Sequence, residues 1–159
     1  ILSPLSLVEE TVSHTTRDFA ATTFVVRDGL TLLLWHLKTQ AWLPPGGHIE
    51  ANELPEDAAR REVLEETGLE VELLGEQQAW GKVKVLRTPV CLLLENISSE
   101  HQHIDLIYFA RVVGGKLNIN PEEAGDCRWY SHRDLGGEEI AEDIKVLGRR
   151  AIAAVSTPL

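Results

Sequence analysis

The sequence predicts an α/β (α+β) chain, best arranged as a three-layer α/β/α sandwich. Three observations carry this. Strand-like and helix-like stretches mix without regular alternation. The stretch 104–113 is apolar on both alternating faces (Ile104, Leu106, Tyr108, Ala110 and Val112 against Ile107, Phe109 and Val113), as a strand covered from both sides requires. Residues 138–155 place Ile140, Ile144, Leu147 and Ala151 on one side at helical spacing. A length of 159 residues, 43% of them hydrophobic and 25% charged, fits one ordinary folded domain. We read it as residues 18–155, after an N-terminal segment 1–17.

In chain order, a short helix is expected within 5–12. Residues 18–27 read as a strand, Asp28-Gly29 as a turn and 31–36 as the hairpin partner. WLPPGGHIE then forces a bend through Pro44-Pro45 and Gly46-Gly47. The next helix is Pro55–Thr67. Proline suits its first position, Glu56 and Asp57 meet the positive end of its dipole, and Gly68 stops it. Leu54 is a poor cap, leaving Asn52 or an irregular start. Strands are expected at 69–74, 83–95 and 104–113, a loop at 118–126, a short strand in CRWYS, a helical turn in SHRDL and a helix at 138–155.

The segment GGHIEANELPEDAARREVLEETGL concentrates charge. Seven acids stand against Arg60 and Arg61, a balance of −5, half of the whole-chain −10. At about 100° per residue, Glu66 lies ~40° to one side of Glu62 and Glu65 ~60° to the other. Three carboxylates therefore share one helix face. Like charges at this spacing destabilise a bare helix. A hard divalent cation reverses the sign, because Mg²⁺ takes oxygen ligands and keeps waters for a phosphate-bearing substrate. A solvated acidic face is the plain alternative. Against it stand the double glycine upstream, the missing apolar stripe and an arginine set among the acids.

This stretch resembles the Nudix hydrolase box, G-x5-E-x7-R-E-U-x-E-E-x-G-U with U bulky and apolar. Gly47, Glu53, Arg61, Glu62, Val63, Glu65, Glu66, Gly68 and Leu69 fill it without departure, nine positions within 23. The resemblance implies a mixed sheet in an α/β/α sandwich. It also implies hydrolysis of a nucleoside diphosphate linked to another moiety, by metal-activated water attacking phosphorus, with Mg²⁺ or Mn²⁺. Glu62 and Glu66 would be the main metal ligands, with Glu65 sharing the site and the Gly46 carbonyl joining them. Arg61 and Glu53 would form a bracing salt bridge. Our choice for the general base is Glu65. The loop before CRWYS often adds a metal-binding glutamate in this family; Glu123 is the first choice, then Glu122.

Trp42, before the bend, is the best candidate for stacking on a nucleobase, and His48 for touching a phosphate. His101 and His103 form an HQH pair that can hold zinc, but no third ligand of suitable spacing is apparent, and an exposed loop is expected there. The secondary signatures of NADH, coenzyme A, ADP-ribose and dinucleoside-polyphosphate subfamilies are absent. This points mildly to a nucleoside triphosphate or nucleotide sugar. Two other chemistries occur on the fold: nucleotide sensing without cleavage, and isomerisation of isopentenyl diphosphate. The intact glutamates disfavour the first, and the contexts of Cys91 and Cys127 disfavour the second.

A net charge of −10 without a basic stripe argues against long nucleic acid. No apolar run reaches the roughly 18 residues of a membrane span, and the start does not read as a signal peptide. Two cysteines outside any ligand spacing suggest free buried thiols and a cytoplasmic setting. The chain contains no Met, so its native start is expected upstream of Ile1. A homodimer is left open, with ILSPLSLV as an exchanged segment.

Overall fold

A computed structural model describes residues 14–156. The helix expected within 5–12 and the segment ILSPLSLV lie outside the described residues.

The sheet is built around β1 (Thr16–Arg27) and β9 (His101–Gly115), which pair in parallel from Thr16↔His101 to Val26↔Arg111. β5 (Leu69–Leu73) and β8 (Cys91–Asn96) join β9 antiparallel. The other edge of β1 is shared by two partners. β4 (Gly46–His48) pairs with its first half, at Ala20↔His48 through Thr22↔Gly46. β2 (Leu30–His36) pairs with its end, at Val26↔Thr31 and Arg27↔Leu30. β3 (Ala41–Leu43) and β10 (Ala124–Tyr130) pair with β2. The Pro44-Pro45 bend falls between β3 and β4, where the Pro45 carbonyl accepts from Thr23 N–H at 2.9 Å.

Helix α1 (Pro55–Thr67) covers one face and helix α2 (Glu142–Ser156) the other. Ala58, Ala59 and Val63 bury against Ala21, Val25, Leu32 and Tyr108. Ile144, Leu147 and Ala151 bury against Phe24, Leu33, Ile107 and Phe109. Adjacent residues of β9 thus enter different cores, which is why that strand is apolar on both faces.

Helix α1 has the expected bounds. Leu54 is its N-cap without a side-chain bond, and the Leu54 carbonyl instead accepts from Asp57 and Ala58 N–H at 3.0 Å each. Gly68 closes it in the left-handed conformation (φ 73°), donating to the Leu64 carbonyl at 2.9 Å.

Four expectations are corrected. The strand expected at 83–95 is two pieces. β7 (Val83–Val85) forms a separate hairpin with β6 (Gln78–Trp80), and pairing with β9 resumes only after Pro89, which has no N–H to donate. The loop expected to reach residue 126 ends earlier, because β10 begins at Ala124. The last helix begins at Glu142 rather than 138; Ile140 lies ahead of it in a turn but is still buried at 3% exposure. Both cysteines are free but only half-buried.

Candidate active site

Strand β4, helix α1 and the turn before β10 meet at a cleft of about 350 Å³. Gly46, Gly47, Glu62 and Glu66 line it together with Glu122 and Glu123. Both glycines are required by close approach. A Cβ on Gly46 would come within 2.5 Å of Thr22 Oγ1, and one on Gly47 would overlap the Glu62 carboxylate.

The electrostatics are those of crowded acids. Burial, then the charges of Glu62 and Glu123, push Glu66 up to about 9, against a backbone hydrogen bond at Gly46. Burial also raises Glu62, and Arg61 partly opposes this. Such a donor set, oxygen-rich and short of positive charge, fits a hard divalent cation; Glu62, Glu66 and Glu123 are the residues that could hold it.

Arg61 organises the rim. Its Nε and Nη2 donate to the two Glu53 oxygens at 2.7 and 3.0 Å. Nη1 donates to Glu62 at 2.8 Å and Glu65 at 3.2 Å, and Nη2 also reaches the His48 carbonyl at 3.0 Å. Glu53 Oε2 accepts in turn from Glu50 N–H at 2.9 Å. The Arg61 hydrogen bond is the main reason that the Glu53 carboxyl lies below its ordinary range. One guanidinium thus ties residues 48–53 to α1.

The sequence-derived residues divide here. Gly46, Glu62, Glu66 and Glu123 converge on the cleft, with Glu122. Glu65 is on the rim, 59% exposed at its side chain, sharing Arg61 Nη1 with Glu62. Trp42 is packed away: it is 8% exposed, edge-on to Trp35 and Tyr130, with the Arg128 guanidinium 4.9 Å from its ring. The imidazole of His48 meets His103 rather than the acidic cleft.

Sequence reasoning missed two basic groups of the cleft, His36 and Lys38. His36 ends β2 and Lys38 lies in the β2–β3 turn, and only the fold brings them to the cleft that Glu62 lines. It also missed the buried pairing of Glu56 with Arg87. This carboxylate is 1% exposed and accepts from Arg87 N–H at 3.0 Å, Arg87 Nη1 at 2.9 Å and Gln77 Nε2 at 3.2 Å.

The chain is similar to known proteins over most of its length. A family model described as the NUDIX domain matches residues 16–151. The crystal structure of a hydrolase of the NUDIX family from Clostridium perfringens shares 33% identity. It superposes with a TM-score of 0.78 over 89% of this chain and 99% of that one. A protein of Bacillus subtilis (strain 168), provisionally named an 8-oxo-dGTP diphosphatase, is 29% identical over 100 residues, covering 63% of this chain and 56% of its own length. The RNA pyrophosphohydrolase of Thioalkalivibrio sulfidiphilus (strain HL-EbGR7) is 29% identical over 117 residues, covering 63% of this chain and 62% of its own length. The chain therefore spans less than two thirds of either curated relative.

Proposed function

Because this chain belongs to the NUDIX family, we propose that it hydrolyses the pyrophosphate linkage of a small nucleotide, with Mg²⁺ or Mn²⁺ held by Glu62, Glu66 and Glu123. The observation that carries this reading is the convergence of those carboxylates with Gly46 in one cleft, at a charge balance that calls for a cation.

When bound, the ion supplies Lewis acidity, lowering the pKa of a water and neutralising diphosphate oxygens. The chain supplies the rest. Glu62 and Glu66 fix the donor geometry from a rigid helix, and the bare backbone of Gly46-Gly47 leaves room for a phosphate to approach. Lys38 and His36 face the same space and suit contact with phosphate oxygens. Water attacks phosphorus in line and the second phosphate leaves. Glu65, on the rim beside Arg61, is our choice to take the proton, since Glu62 and Glu66 are committed to the ion. Arg61 and Glu53 act as positioning residues.

A nucleoside triphosphate, oxidised or not, or a nucleotide sugar suits this site best. One relative's name points to RNA, but a net charge of −10 disfavours a long polyanion. The test is a panel of nucleoside triphosphates, 8-oxo-dGTP, sugar nucleotides, ADP-ribose and dinucleoside polyphosphates with Mg²⁺, read by released phosphate and pyrophosphate. A substrate cleaved by wild type and spared by Glu66→Gln supports the reading. Equal turnover in that variant, or tight nucleotide binding with no product over hours, overturns it.

A further inference from the structure

The HQH pair belongs to a second constellation, away from the carboxylate cleft. The expectation of an exposed loop is corrected: His101 and His103 open strand β9 and are half-buried. Being two residues apart, they share a face. The parallel register sets Asp18 of β1 opposite His103, and the antiparallel register sets His48 of β4 opposite Ala20. Alternation along β1 and β9 puts these side chains on the face that carries Phe24, Ile107 and Phe109, opposite α1.

We propose that Asp18, His48, His101 and His103 form a second metal site, built for a tetrahedrally coordinated ion of the Zn²⁺ class.

The donor atoms already cluster. One ligand atom from each residue lies within 4.8 Å of all the others. His48 Nε2 is 2.9 Å from His103 Nε2 and 3.9 Å from Asp18 Oδ2, and His101 Nε2 is 3.4 Å from Asp18 Oδ2. Zinc–nitrogen bonds of about 2.05 Å place the corners of a tetrahedron ~3.4 Å apart, in the middle of these values. The rings also stand as separate corners: His48 and His101 each lie edge-to-face with His103, at interplanar angles of 77° and 88°.

The second nitrogen of His101 is occupied as a metal ligand's should be. Thr16 Oγ1 is hydrogen-bonded to His101 Nδ1 at 2.8 Å, which leaves Nε2 to face the cluster. Three imidazoles and one carboxylate suit zinc and its neighbours, whereas the all-oxygen set at Glu62 and Glu66 suits magnesium. The donors ride on three hydrogen-bonded strands, so little reorganisation is needed to close the site. A bound ion would clamp β4 to β1 and β9. β4 also carries Gly46 and Gly47, and its His48 carbonyl accepts from Arg61. The ion would thus brace the strand that lines the acidic cleft.

The test strips the full chain with chelator, reloads it with Zn²⁺ or Co²⁺ and dialyses it against buffer. Metal is counted by mass spectrometry, and the Co²⁺ geometry is read from visible absorption. Wild type and Glu66→Gln should each retain one tightly held ion per chain, with the intense bands of tetrahedral Co²⁺. His101→Gln/His103→Gln should lose both the ion and the bands. Asp18→Asn, at an exposed position where folding is not at stake, should weaken Zn²⁺ at least tenfold. Wild type that retains no ion, a weak octahedral Co²⁺ spectrum, or Zn²⁺ affinity unchanged in Asp18→Asn overturns the proposal. Loss of the ion in Glu66→Gln with retention in His101→Gln/His103→Gln also overturns it, by assigning the ion to the acidic cleft.

Discussion

Gly47 stands directly against Glu62: a Cβ built on that glycine would overlap both carboxylate oxygens. Only the bare backbone of strand β4 leaves room for the Glu62 carboxylate of helix α1, which Arg61 Nη1 also holds at 2.8 Å. Gly47→Ala must displace either the carboxylate or the strand. A shift of about 1 Å in a reacting geometry costs on the order of 100-fold in rate. We expect kcat to fall by about that factor while circular dichroism stays native.

Arg61 makes five hydrogen bonds, to Glu53 (twice), Glu62, Glu65 and the His48 carbonyl. Lysine keeps the charge but loses the planar fork. Arg61→Lys should leave half-buried carboxylates unpaired and cost about 3 kcal/mol of stability. On the proposed reading Arg61 positions metal ligands rather than substrate, so kcat should drop more than KM rises. Urea unfolding and steady-state kinetics check both; wild-type stability in the variant would refute the bracing role.

Metal removal should expose the strain among the acids. Without a cation, burial and the neighbouring charges hold Glu66 up to about 9, so at pH 7 it keeps its proton. Mg²⁺ binding should then release about one proton, seen by calorimetry as a dependence of heat on buffer ionisation. Glu66→Gln should abolish that dependence. It should also raise the metal-free Tm by about 3–6 °C, the shift that ~1–2 kcal/mol gives a chain of this size.

Glu56 supplies a pH test away from the cleft. Burial alone would raise it, but the backbone and side chain of Arg87, with Gln77, outweigh burial and lower it below its ordinary 4.5. A lowered folded-state pKa stabilises above 4.5, and that contribution is lost as pH falls below it. Arg87→Met should therefore cost about 3 kcal/mol at pH 7, where a buried charge loses its nearer cation and keeps only Arg60 at 3.9 Å. The difference from wild type should shrink in urea melts near pH 4.

What could be read from the chain was local. Pro55, Glu56, Asp57 and Gly68 act within their own turn, so the bounds of α1 were legible. The grouping of Glu62, Glu65 and Glu66 follows from helical pitch, and the box spacing carried the family. The strand expected at 83–95 failed because Arg87 is drawn to Glu56 and Pro89 lacks a donor, and nothing within that stretch names the partner 31 residues away.

The sequence by itself determined the helix, its acidic face, the two apolar faces of β9 and the chemistry those acids favour, because each follows from backbone pitch and nearest neighbours. Tertiary structure alone decided that Trp42 is core, that Lys38 and His36 line the acidic cleft, and that His48 turns from the cleft toward His103. It alone brought Asp18 and His48 to the HQH pair. Strand register, which sets Thr22 opposite Ile107, 85 residues on in the chain, is set by which faces bury against which helix, and spacing along the chain carries no record of that choice.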